Sequence, residues 1–272
     1  QIQMKKLTVF CAAACLAASA AAQNHPDLHE VLDRQKGRNL IEIPKGTYTL
    51  DVRSNGPYKF HNLTDVHING NGSTVICNNQ EQAFSFYNCV RVELRDLTID
   101  YDPLCFTQGE ITAVAEDGSW FDVRIDEGYP VTGLAANRVQ FYDPQTRLLK
   151  RNSITTYTSN YSALKQLGHN LFRAVKNGTW SAGEQVGDLV VMDVKTDKPN
   201  AGVHTVMLNK CYNTKLENVT VYGSNTFSFF EKEGYANEYR NCVVDRGPMP
   251  QGIRPRLRSG NADGIHLSLI HI

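Results

Sequence analysis

Neither sign of charge is in excess in this sequence, because 28 lysines and arginines face 28 aspartates and glutamates. Affinity for nucleic acid rests on unbalanced basic charge, so no nucleic-acid partner is expected. The seven cysteines include no C-x-x-C pair, which removes the close ligand spacing of a zinc site and the dithiol of a redox motif. No metal and no cofactor is expected. Past the amino-terminal leader no apolar run approaches the ~18 residues a membrane-spanning helix needs, so no transmembrane segment is expected. Hydrophobic residues at 41% and charged residues at 21% leave enough material for a core and exclude wholesale disorder.

The leader has the form of a secretory signal. Lys5-Lys6 precede an apolar run from Leu7 to Leu16, and small residues lead to Ala20-Ala21-Ala22-Gln23. A basic start, a short apolar middle and an Ala-x-Ala exit define a cleavable signal peptide over residues 1–22, which predicts an exported, periplasmic or extracellular protein. A lipoprotein signal at Cys15 is the rival, but no leucine stands three residues before it. Cys11 and Cys15 fall in the leader. The remaining Cys77, Cys89, Cys105, Cys211 and Cys242 are odd in number and read as buried free thiols, with Cys89, Cys211 and Cys242 at strand positions of the repeat.

A repeat organises the chain. Leu63-Thr64-Asp65-Val66-His67-Ile68 recurs as Leu94-Arg95-Asp96-Leu97-Thr98-Ile99, as Leu216-Glu217-Asn218-Val219-Thr220-Val221, and more loosely as Tyr239-Arg240-Asn241-Cys242-Val243-Val244. A second block, Phe84-Ser85-Phe86-Tyr87-Asn88-Cys89, recurs as Val206-Met207-Leu208-Asn209-Lys210-Cys211 and continues at Phe227-Ser228-Phe229-Phe230-Glu231. Neighbouring copies are spaced by 31, 23 and 21 residues. Short alternating strands at this period, without a leucine cadence or a Trp-Asp signature, exclude leucine-rich repeats and propellers and predict a parallel β-solenoid. Asp65, Asp96, Asn218 and Asn241 then stack as a ladder in equivalent turns, a structural role. Leu28 to Leu32 reads as a short helix capping the solenoid end, and Leu40 to Tyr48 as strand, turn and strand.

Between Asp102 and about Ala201 the repeat is lost. Glu116-Asp117-Gly118-Ser119 sits between two alternating apolar runs and marks a tight hairpin. The stretch reads as a small antiparallel, barrel-like insertion. The expected organisation is signal peptide 1–22, solenoid 23–103, insertion 104–201 and solenoid again 202–272. The predicted fold class is therefore all-β, a right-handed parallel β-helix with an inserted antiparallel β-barrel-like domain. Trp120 and Trp180 read as core of that insertion, with sugar-stacking platforms as the alternative.

The chemistry falls late in the chain. Aligning Asp263-Gly264-Ile265-His266 with Phe227-Ser228-Phe229-Phe230 puts a carboxylate where the preceding repeat has phenylalanine. An acid there either faces a groove or is buried at a cost of several kcal/mol unless paired. An Asx turn in a loop is the structural alternative. Asn261, His266 and Arg258 flank Asp263, and Glu231 and Glu233 follow the aligned strand, so all five are candidate substrate contacts. His204 and His67 read as ordinary face residues.

Asn261-Ala262-Asp263-Gly264-Ile265-His266 resembles the N-x-D-G-I motif of β-helical glycoside hydrolases such as polygalacturonases. With Arg256-Leu257-Arg258-Ser259-Gly260 before it and Leu94-Arg95-Asp96-Leu97-Thr98-Ile99-Asp100-Tyr101-Asp102-Pro103 upstream, the chain is similar to glycoside hydrolase family 110. Those are exported bacterial α-1,3-galactosidases acting on blood-group-B-type or linear α-galactosyl ends. The resemblance implies a glycan partner with terminal α-galactose and inverting hydrolysis by carboxylates ~6.5–9.5 Å apart, with Asp263 as one catalytic group. It also places partner acids about one repeat beyond Asp263. The sequence reaches only Ile272, and Leu267 to Ile272 departs from the family pattern, so an inactive fragment is the expectation. A polysaccharide lyase and a non-catalytic carbohydrate-binding or adhesive β-helix remain the alternatives.

Overall fold

The computed structural model describes residues 25–194, 204–259 and 263–268. The proposed signal peptide and Asn261 lie outside the described residues. Asp27 caps helix α1 (Leu28–Asp33) by accepting a hydrogen bond from the His29 amide at 3.0 Å, and Leu28 and Leu32 bury the inner side of the helix. Strands follow in quick succession: β1 (Leu40–Glu42), β2 (Thr47–Leu50), β3 (Tyr58–His61), β4 (Thr64–Cys77), β5 (Phe84–Tyr87) and β6 (Val90–Tyr101). A one-turn helix, α2 (Val52–Asn55), separates β2 from β3 and has no counterpart in the sequence expectations.

Seven antiparallel strands come next: β7 (Phe106–Val114), β8 (Trp120–Ile125), β9 (Leu134–Tyr142), β10 (Thr156–Tyr157), β11 (Tyr161–Gln166), β12 (Leu171–Lys176) and β13 (Leu189–Val194). Their order, β10-β9-β13-β7-β8-β12-β11, curls the sheet into a near-barrel, with the 3-10 turn Thr158–Asn160 joining its two edge strands. The expected hairpin is the β7–β8 turn, where Gly118 takes φ 73° and Asp117 accepts from the Ser119 amide. Phe121, Val123, Val139, Phe141 and Met192 fill the near-barrel interior. Neither tryptophan is an open platform. The Arg173 guanidinium lies 3.5 Å from the ring centre of Trp120, and Trp180 is packed by Tyr161 and Lys176.

After the near-barrel come β14 (Val206–Asn209), β15 (Lys215–Val221), β16 (Phe229–Lys232), β17 (Glu238–Arg240), β18 (Val243–Val244) and β19 (Ile265–Ser268). These complete two parallel sheets. The first runs β1-β4-β6-β15-β17, with β2 on β4 and β18 on β15; the second runs β19-β16-β14-β5-β3. The sheets are filled alternately, β3 then β4, β5 then β6, β14 then β15, β16 then β17. The protein is thus all-β, combining parallel sheets with one antiparallel near-barrel sheet.

Like residues stack in the shared core because parallel pairing in register puts equivalent side chains on one face. Ile68, Leu94 and Leu216 form one such column, and Phe60, Phe86 and Leu208 another, with the two phenylalanine rings 4.8 Å apart. The five cysteines among the described residues are free. Cys77, Cys89, Cys105 and Cys211 are buried and Cys242 is half-buried. Burial pushes the Cys77 and Cys105 thiols up.

Register corrects two details of the repeat. Ile68 pairs with Leu94, so Asp65 opposes Arg91, 26 residues on, and binds it through two bonds of 2.6 and 2.8 Å. Asp65 is therefore absent from the ladder of Asp96, Asn218 and Asn241, which are joined side chain to side chain at 2.8 and 3.3 Å. Opposite Asp96 the chain carries Gly70-Asn71-Gly72, a bulge that displaced the motif count. Likewise Val206 pairs with Phe229, not Phe227. All four Asx residues adopt φ of 51–57°, the left-handed region their short polar side chains tolerate.

A strap over residues 249–258 ties the near-barrel to the parallel sheets. Arg256 forks onto Asp100 with two bonds of 2.8 Å, and it also donates to the Tyr222 carbonyl. Gln108 of the near-barrel donates to the Pro255 carbonyl and accepts from the Leu257 amide.

Candidate functional site

The outward positions of the second sheet are set by alternation. Phe229 and Val206 point inward and are fully buried, so Phe230, Met207, Ser85 and His266 point out. Just before these strands lies a further row, in which Phe227 and Asp263 are brought together by the Ser228 amide donating to the Asp263 carbonyl at 3.4 Å. This matches the alignment of Asp263 with Phe227 read from the sequence.

Around this row four rings stack. Centroids of His204 and Phe230 are 4.2 Å apart, those of Phe227 and His266 4.3 Å, and those of His204 and Phe227 5.0 Å, with interplanar angles of 26°, 12° and 13°. Their spacing is that of favourable offset stacking. Thr226 Oγ1 lies 2.7 Å from His204 Nδ1 and fixes the orientation of the imidazole. Burial lowers the His204 pKa, and the nearby charge of His266 adds to the effect. Beside the rings the Asp263 side chain is 69% exposed, with one carboxylate oxygen 3.5 Å from His266 Nδ1. An open carboxylate next to a ring-lined stripe can exchange a proton with a bound ligand while the rings hold its apolar face.

The structure brings together only two of the described candidates. Asp263 and His266 share the stripe. Glu231 does not line it, because it occupies the inward column of Phe60, Phe86 and Leu208, 4% exposed, and accepts from Asn237 and Tyr239. Its charge, after burial itself, raises the Tyr239 pKa. Glu233 sits in a left-handed turn after β16, at φ 54°, among the ion pairs of Lys210 and Lys232. Arg258 is buried against the near-barrel, where it binds Asp193 at 2.5 Å and Gln140 at 3.0 Å. None of these three reaches the stripe: the two-residue spacing from Phe229 turns Glu231 inward, Glu233 lies past the end of β16, and Arg258 belongs to the strap.

His204, Phe227 and Phe230 were the residues sequence reasoning missed. A signal was present in Phe229-Phe230, since adjacent aromatics on one strand cannot both face the core. His67 is a face residue as expected, 2.8 Å from Glu93. Among the described residues Asp263 is the one carboxylate on the outward rows of the second sheet. No protein-family model and no curated protein sequence matches the chain.

Proposed function

We propose that the chain is an exported glycoside hydrolase, a right-handed parallel β-helix carrying a barrel insertion, that acts on glycans ending in α-1,3-linked galactose. The observation that carries this reading is the open Asp263 carboxylate beside the stripe of His204, Phe227, Phe230 and His266. Two parallel sheets filled alternately along the chain support the helical winding, and the resemblance of the Asn261 to His266 motif to family 110 supports the substrate. Asp263 serves as acid or base at the glycosidic bond, and the rings take the face of the galactose.

The test is proton NMR of an α-1,3-galactosyl disaccharide incubated with the full-length protein. Inversion releases the β-anomer of galactose first. Asp263→Asn keeps glycan binding and the melting temperature and loses turnover by about 100-fold or more. Hydrolysis at an undiminished rate by Asp263→Asn rejects the assignment. A second reading, glycan binding without cleavage, is favoured by Asp263 being the only carboxylate among the described outward positions. It predicts equal binding by both proteins and no galactose release by either.

A further inference from the structure

On the near-barrel, strand β9 breaks register with β13. Met192 pairs with Val139, whereas Asp193 pairs with Ala135, so the stretch between bulges out of the ladder. Bulges re-aim side chains and concentrate near functional sites. Arg138 sits on this bulge, and its Nε is sealed from water without a hydrogen-bond partner among the described residues. Among the described residues no ion pair reaches Arg138 either. A buried guanidinium N–H left unmatched is costly, and such groups in native folds are normally paired.

Its surroundings are rich in positive charge. Arg138 and Gln140 alternate along β9 with Val139 and Phe141, which are fully buried in the near-barrel core, and Tyr142 beyond them is buried as well. Gln140 accepts from Arg258, which also binds Asp193 at 2.5 Å. Arg138 and Arg258 both act on the Asp193 carboxylate, and Arg246 joins them around Tyr142. Asp193 is the only carboxylate among these described groups. One acid, already bound by Arg258, is thus shared between two guanidiniums.

We propose that Arg138, backed by Arg258, is a receiving site for an oxyanion, a sulfate, phosphate or carboxylate group, at the junction of the near-barrel and the strap. The Arg138 guanidinium suits such a group because it presents several N–H donors in a planar fork, and Arg258 adds positive charge behind it. The anion has two sources, a charged substituent on a glycan or a free inorganic ion. This site is independent of Asp263.

Isothermal titration calorimetry with sodium sulfate, at an ionic strength held constant with chloride, tests the assignment. The protein binds one sulfate, and Arg138→Gln weakens that binding at least about tenfold. Arg138→Lys retains charge without the Nε–H and falls between the two, which serves if Arg138→Gln does not fold by circular dichroism. Tighter binding of galactose 6-sulfate than of inorganic sulfate assigns the source to a glycan; equal binding assigns it to the free ion. Sulfate heats no larger than those of chloride, or heats unchanged in both variants, overturn the proposal.

Discussion

His204 lies against Phe230 and Phe227, in surroundings that oppose its charge. Its pKa in the fold is lowered by burial and then by His266, and that of His61 by burial and then by Lys59. In the unfolded chain a histidine titrates near about 6.5. Because the folded value is the lower one, protons bind preferentially to the unfolded state. The stability is fully present above about pH 6.5 and is lost as pH falls through the folded value. Thermal denaturation across about pH 7 to about pH 5 should show a falling melting temperature, and His204→Phe should flatten that slope. Parallel profiles for the two proteins would remove His204 as a source. At this scale the sequence was legible where a residue broke its own pattern, as Asp263 does in the position of Phe227. Glu231 misled because a carboxylate two places from Phe229 faces the same way as that phenylalanine. Its partners, Asn237 and Tyr239, come from the following repeat.

Between neighbouring strands, spacing is set by the backbone, and Gly70 marks where it is tightest. A Cβ at this position would stand 2.4 Å from the Asp96 carbonyl oxygen and 2.9 Å from that of Arg95, so backbone must move to admit one. Gly70→Ala should destabilise the protein by about 1–3 kcal/mol, the usual cost of overpacking, read from urea denaturation. An unchanged midpoint would mean that the β4 bulge yields freely. The ladder of Asp96, Asn218 and Asn241 was readable because one residue type recurred at one offset. The true partner of Asp65 was not, since the extra residues around Asn71 shift the count without disturbing the apolar alternation on either side.

For the molecule as a whole, the buried Asp100–Arg256 fork ties the strap to the parallel sheets. The two side chains are 12% and 5% exposed, so removing one strands a desolvated charge. Asp100→Ala is expected to cost about 3–5 kcal/mol and lower the calorimetric melting temperature accordingly, whereas an exposed pair such as Arg34–Glu30 should cost about 0–1 kcal/mol on Glu30→Ala. Equal small shifts in the two variants would show the fork to be dispensable. The insertion was visible from the loss of the repeat between Asp102 and Ala201. The strap was not, because an Arg- and Pro-rich stretch looks like a loop until its partners are known, and Asp100 lies 156 residues before Arg256.

That separation orders events on the ribosome. The near-barrel and most of both parallel sheets emerge before residues 249–258 have been synthesised. Until then Asp100 and Gln108 have no Arg256 or Leu257 to hold them. The nascent bodies therefore stay unlatched until the strap arrives.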